Sequence, residues 1–354
     1  MSHPVPASPV APAPAPPSSS PPKPKRGARG VVVQLLKLGL VGGLLYVLVQ
    51  KGFLSLDKTR EAFTRPLPMV AGMLLLVSTS LASAFRWQLL LRAQSLVIPF
   101  SRTVQLQFIG LFFNIALPGA VSGDFVKAFY VGQEAPERRA RTFGSILFDR
   151  VLGLSALMVV SSLAMLLGSN FTGDATTVGA LKLLVHGMAA GVVGFYAYLF
   201  LVNPERDLLL KLLTAIHTRI PRLAAITGVY EGMRHYHHHR GTVLRALGLS
   251  AVIHLTVGVA FLFFSRAMGE GQLALHDLYT VVPTGLLITT IPVAPVGVGT
   301  GHAAFLFLFR LLGSERGADI FTLMVLTQFL IGAVGGLVYL RFRSHEPAPT
   351  PTPG

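Results

Sequence analysis

Long apolar runs separated by short polar or basic loops dominate this chain. A helix that crosses a bilayer needs about 20 mostly apolar residues. Six runs meet that length: 31–50, 67–91, 142–168, 178–202, 242–265 and 320–341. Two further apolar stretches, 103–131 and 277–313, are interrupted by Pro and Gly. The pattern predicts an all-α integral membrane protein with about six full spans plus two Pro/Gly-broken re-entrant segments.

Lys and Arg in short loops set orientation. Lys23, Lys25, Arg26 and Arg29 precede the first run, so the N-terminus is expected in the cytoplasm. The loop with Arg138, Arg139 and Arg141, the Arg-rich segment 203–241 and the end with Arg341 and Arg343 are expected there too. The loop 169–177, SNFTGDATT, has no Lys or Arg and is expected outside. Both flanks of 103–131 thus fall on one side. A re-entrant hairpin with its tip near Pro118–Gly123 resolves this; two half-spans that cross fully are the alternative. The same argument makes 277–313 a hairpin entering from outside, with Arg310 and Arg316 as evidence against it.

The two broken stretches resemble each other. FFNIALPGAVSGDFVKAFY and ITTIPVAPVGVGTGHAAFLF each carry an apolar lead, a Pro, a Gly-containing tract, one polar residue (Asp124 or His302) and an apolar helix. They suggest an inverted repeat, because Gly/Pro-interrupted segments at matching places in two halves mark the midplane site of many transporters. Irregular backbone survives at that depth only where protein or a water-filled cavity surrounds it.

Composition agrees: 52% of the 354 residues are hydrophobic and 13% charged, against about a quarter charged in a soluble domain. The net charge of +15 therefore reads as membrane topology and attraction to anionic lipid, with no nucleic-acid partner. Cysteine is absent, which excludes disulfides and cysteine zinc sites. Residues 1–29 read as a disordered Pro/Ala-rich cytoplasmic arm, 30–341 as the membrane domain and 342–354 as a disordered tail. Within the domain, 203–241 reads as a cytoplasmic basic amphipathic loop. The His235–Arg240 run, HYHHHR, has no cysteine or clustered carboxylate beside it, so no metal and no cofactor are expected. Zincin, phosphate-loop, dinucleotide and serine-hydrolase motifs are missing, so a transporter is expected and an enzyme is not.

Ionisable residues inside a membrane default to functional hypotheses. Asp124 and Lys127 are three apart, so a helix starting near Ser122 puts them on one face, where they can pair. That helix start also aims a positive dipole end into the cavity. Asp149 and Arg150 are adjacent and need partners elsewhere. The expectation is a base from another helix for Asp149 and a cavity for Arg150, whose planar fork suits phosphate. Arg86 beside Trp87 reads as an interface anchor or as a partner of Asp124 or Asp149. Asn114, four residues before Pro118, is expected to satisfy carbonyls freed by the break.

FFNIALPGAVSGDFVKAF, ILFDRVLGL and PVAPVGVGTGHAAF resemble the three signatures of the lysylphosphatidylglycerol synthase transmembrane-region family, the flippase-like proteins, over about 30–341. Asn114, Pro118, Gly119, Gly123, Asp124, Asp149 and Arg150 match the family pattern, and Pro295, Gly297 and Gly299 at the late tip are further candidate lipid-binding residues. Ser122 replaces a glycine, Lys127 an arginine and His302 a glutamate. The resemblance implies a flippase-like transporter of an anionic phospholipid or polyprenyl-phosphate-linked lipid in a bacterial-type inner membrane. Its alternative is a non-transporting membrane subunit or anchor for a separate transferase. With no lysyl-transferase or glycosyltransferase domain in the sequence, aminoacylation is not expected of it.

Overall fold

A computed structural model describes residues 60–116, 122–134, 139–203, 206–219, 224–290 and 300–342. The 31–50 run, the tips with Pro118, Gly119, Pro295, Gly297 and Gly299, the basic arm and the tail lie outside the described residues. Those residues form α-helices with no strand among them: α1 Arg60–Phe63, α2 Pro66–Ala93, α3 Phe100–Ala116, α4 Ser122–Glu134, α5 Arg139–Leu167 and α6 Ala175–Leu201. Then follow α7 Leu208–Arg219, α8 Ala224–Arg234, a 3₁₀ turn His235–His239, α9 Arg240–Ala267, α10 Leu275–Thr289, α11 Thr300–Arg310 and α12 Gly317–Arg341.

Five helices among the described residues (α2, α5, α6, α9 and α12) are long and apolar enough to cross a membrane. Their outward faces carry exposed large apolar side chains, among them Leu74, Phe85, Leu183, Val252 and Leu330. This is a face suited to lipid rather than water. The chain is a multi-pass membrane protein.

The helices form two repeats: α2, the α3–α4 pair and α5, then α9, the α10–α11 pair and α12. Helix α2 runs antiparallel to α9. Gly72 lies against Phe264, Arg86 reaches Ser250, and the Tyr236 hydroxyl just before α9 reaches the Leu90 carbonyl. The repeats are therefore inverted. They also exchange partners: α3 packs along α12, and α10 packs along α5. At the α3–α12 crossing a Cβ on Gly335 would meet the Phe108 carbonyl oxygen at 2.0 Å. Only glycine lets the backbones close to this distance. At the α10–α5 crossing the Ser161 hydroxyl meets Thr280 and Thr284.

Each broken pair enters and leaves at the same end. Gly110 faces Gly123 and Gln107 faces Lys127, so α3 and α4 run antiparallel. The open ends of this pair lie where α2 ends, α5 begins and α12 ends: Arg102 stacks over Phe342, and Tyr130 packs against that ring. This end holds Arg92, Arg141, Arg234, Arg240 and Arg341 and is called the basic end below. The second pair opens at the opposite, far end, where Thr172 donates its N–H to the Leu311 carbonyl. The arginines that argued against far-end entry are paired there: Arg310 with Glu315 and Arg316 with Glu61. Hydrogen bonding from Arg316, ahead of that from Arg65, holds the Glu61 carboxyl below its ordinary value.

Between α6 and α9 the chain runs along the basic end. Fully buried Asp207 is the knot. It takes hydrogen bonds from Tyr198, Tyr230 and the Leu210 N–H, and an ion pair from Arg234 at 2.7 Å. Burial pushes its pKa up, but these partners together hold it below the usual carboxylate range. The histidines of the HYHHHR run lie in the 3₁₀ turn, with the His235 and His239 rings 5.0 Å apart, and Arg240 opens α9. No group of three His, Asp or Glu able to hold a metal occurs among the described residues.

Candidate functional site

The first repeat gathers five ionisable side chains where its broken helix pair meets α2 and α5, four of them buried and Arg150 partly exposed. Helix α4 begins at Ser122, and its start is set by Asn114. The side-chain Oδ1 of Asn114 accepts the Gly123 N–H at 2.8 Å. This corrects the expectation from the sequence: Asn114 satisfies a freed N–H, because the chain after the break starts a helix and the unpaired groups there are donors. Gly123 admits no side chain, since a Cβ would sit 1.9 Å from the Gly110 carbonyl oxygen.

The helical turn that follows places Asp124 and Lys127 on one face, and their ion pair is 2.9 Å long. Both are buried. The other Asp124 oxygen accepts from Nε of Arg150 on α5. Lys127 also donates to Gln107 at 3.3 Å, and its ammonium lies 5.0 Å from the Trp87 ring centroid, within cation–π range. Arg150 is the cation with access: its side chain is 32% exposed, against 8% for both Lys127 and Arg86.

Asp149 finds its base on α2. Arg86 grips it with Nε to Oδ1 at 2.7 Å and Nη2 to Oδ2 at 3.0 Å. The third guanidinium nitrogen donates to the Ser250 hydroxyl at 2.8 Å. Gly153 makes room for the fork, its Cβ position lying 3.4 Å from Nη1. Arg86 is thus the expected partner of Asp149, and it is buried inside the bundle rather than anchored at an interface. Below it, His254 bonds the Gly153 carbonyl.

Three cations (Arg86, Lys127 and Arg150) and two carboxylates (Asp124 and Asp149) leave one net positive charge in this cluster among the described residues. An excess of cations in a membrane interior favours an anion with oxygen acceptors beside it.

His302 is not part of this cluster. It sits on α11, with Nε2 3.1 Å from the Thr322 hydroxyl and its ring edge-on to Phe321. Sequence reasoning missed Gln107, Gly110 and Ser250. The first two were readable: Gln107, Gly110 and Asn114 share one helical face of α3 at spacings of three and four. Ser250 comes from a distant span, and no local pattern marks it.

Residues 34–338 match the family described as Lysylphosphatidylglycerol synthase TM region. No curated protein and no solved structure matches the chain.

Proposed function

The chain belongs to the lysylphosphatidylglycerol synthase TM-region family, and from that premise we propose that it moves an anionic lipid across the bilayer by passing the phosphate headgroup over the Asp124–Lys127–Arg150 cluster. The observation that carries the reading is the net positive cluster, with Arg150 partly exposed, where a helix pair that turns back inside the membrane meets α2 and α5.

Arg150 would receive the phosphate. Its guanidinium already holds a carboxylate, so its geometry suits two oxygens of an oxyanion. Asp124 serves as the counter-ion in the absence of lipid and shares Arg150 with the incoming headgroup. The start of α4 adds the positive end of its dipole on the same side. Arg86 and Asp149 hold α2 against α5 beneath this site and position Arg150 without touching the lipid. The acyl or prenyl chains remain in hydrocarbon. The basic end faces the cytoplasm by the distribution of Arg and Lys, in a bacterial-type inner membrane.

The test uses the full chain in liposomes that contain a fluorescent phosphatidylglycerol, with a membrane-impermeant quencher outside. The expected result is loss of the protected inner-leaflet fraction relative to empty liposomes, and a rate lowered at least about tenfold in Arg150→Ala. Quenching that stops at the outer leaflet, with co-purification of a separate transferase, would replace transport by the anchor reading. Wild-type rates in Arg150→Ala would remove the site.

A further inference from the structure

A second lipid-sized feature lies on another face of α5. An open groove of about 560 Å³ runs between α6 and α9. Its floor is α5 at Val160, one wall is Tyr196 and Phe200 of α6, and the other is Leu244, Leu247 and Ala251 of α9. The lining is wholly apolar at its surface; the Tyr196 hydroxyl turns inward to Ser155 at 3.2 Å.

The α9 wall is one helical stripe. Residues 240, 244, 247 and 251 follow spacings of four, three and four, so they share a face. Arg240 heads this stripe at the basic end. It is exposed, its Nη2 donates to the Phe200 carbonyl at 2.7 Å, and its guanidinium lies 6.0 Å from the Phe200 ring centroid. A cation therefore stands at the mouth of an otherwise uncharged channel.

We propose that the groove holds one acyl chain of an anionic phospholipid whose phosphate rests on Arg240. Length supports this occupant over a helix. From Arg240 to Ala251 the stripe rises about 16 Å at about 1.5 Å per residue, close to half of a hydrocarbon core of about 30 Å. That is the depth of one leaflet, with headgroup and chain end at the two ends of the groove. A partner helix or a second copy would need contact over the full height. The site is separate from the transport cluster: Asp149 and Arg150 point to α2 and α4, and this lipid stays in its leaflet. The proposal does not depend on flipping.

Native mass spectrometry of the full chain, titrated with phosphatidylglycerol or phosphatidylcholine, tests it. The expected result is one retained lipid with about a 5-fold preference for phosphatidylglycerol, the effect of one arginine near a charged headgroup. Arg240→Gln brings phosphatidylglycerol down to the phosphatidylcholine level. Ala251→Trp fills the groove and removes both. Phosphatidylglycerol with a photoreactive group at its chain end labels 244–251 over the outward-facing Leu183 of α6, which keeps the test open should Ala251→Trp fail to fold. Even labelling of all lipid-facing helices overturns the proposal, as does a full preference in Arg240→Gln. A dimer that Ala251→Trp converts to monomer would make a second copy the occupant and overturn it too.

Discussion

The two broken helix pairs are the same device built with opposite chemistry. Counted from the start of each helix, Ser-Gly-Asp opens α4 and Thr-Gly-His opens α11. Lys127 then corresponds to Phe305, and Trp87 to Phe261. In the first repeat the ammonium of Lys127 lies over Trp87. In the second the rings of Phe305 and Phe261 stack 5.2 Å apart, and Phe321 stacks on Phe305 at 4.6 Å. The buried Arg86 corresponds to the buried Ala260, Asp149 to Thr327 and Arg150 to Gln328. One repeat thus carries charge and polar contacts where the other carries an apolar core. Among the described residues, the excess positive charge lies at the first of these two corresponding places.

Substitutions at corresponding positions of the two repeats measure how far charge sets the halves apart. The largest effect is expected at Asp149. Removing it strands Arg86 in the interior, which costs about 3–5 kcal/mol. Thr327→Ala at the corresponding place loses a hydroxyl bonded to the Leu323 carbonyl and costs about 1 kcal/mol or less. Unfolding of both variants in detergent measures the contrast, and equal losses would mean that charge does not distinguish the halves.

Next come the two tip glycines. Gly123→Ala drives a methyl into the Gly110 backbone and is expected to cost about 3 kcal/mol or more, because backbone cannot yield. At Gly301 the methyl meets Phe321 ring carbons at 2.5 Å and the Thr289 methyl at 2.9 Å, side chains that can shift. Gly301→Ala is expected to cost about 1–3 kcal/mol. A reversed order in the same unfolding assay would show that the second pair is the tighter one.

Asn114→Ala removes the side-chain cap of α4 and is expected to lower stability by about 1 kcal/mol. Hydrogen exchange at the first turn of α4 should rise in step, while α11 stays unchanged.

The smallest effect belongs to the exposed clamp at the far end. The lowered pKa of Glu61 means that its stabilisation is fully present above its ordinary value of 4.5 and is lost as pH falls through the lowered value. Melting temperature should decline slightly more steeply in wild type than in Glu61→Gln between about pH 6 and pH 3. Parallel profiles would remove the clamp from the account.

Much of this was legible before any coordinates. Apolar run length gave the five spans found among the described residues, and the likeness of the two Pro/Gly-broken stretches suggested the inverted repeat. The spacing of Asp124 and Lys127 gave their pair, and the adjacency of Asp149 and Arg150 required a base from another helix for Asp149; that Arg150, expected at a cavity, also holds Asp124 was not foreseen. What stayed hidden depends on pairing between distant segments. Arg86 next to Trp87 is the pattern of an interface anchor, and only the approach of α5 shows that both are interior. The exchange of α3 and α10 between repeats leaves no local pattern, because the glycines that permit it, such as Gly335, look like any small residues of a membrane helix. The correspondence of Lys127 with Phe305 emerges once the helix starts are known.

The exchange of partners has a consequence for how the protein is made. The surface that receives α3 belongs to α12, the last helix of the described chain, and leaves the ribosome about 200 residues later, roughly 10–40 s at ordinary synthesis rates. During that interval the first helix pair lacks the glycine seam of α12. Its charges need not wait: the ion pairs of Asp124 with Lys127 and Arg150, and of Asp149 with Arg86, form entirely within helices already synthesised. Ion pairing can precede close packing, so the half that carries the most expensive residues is also the half that can protect them first.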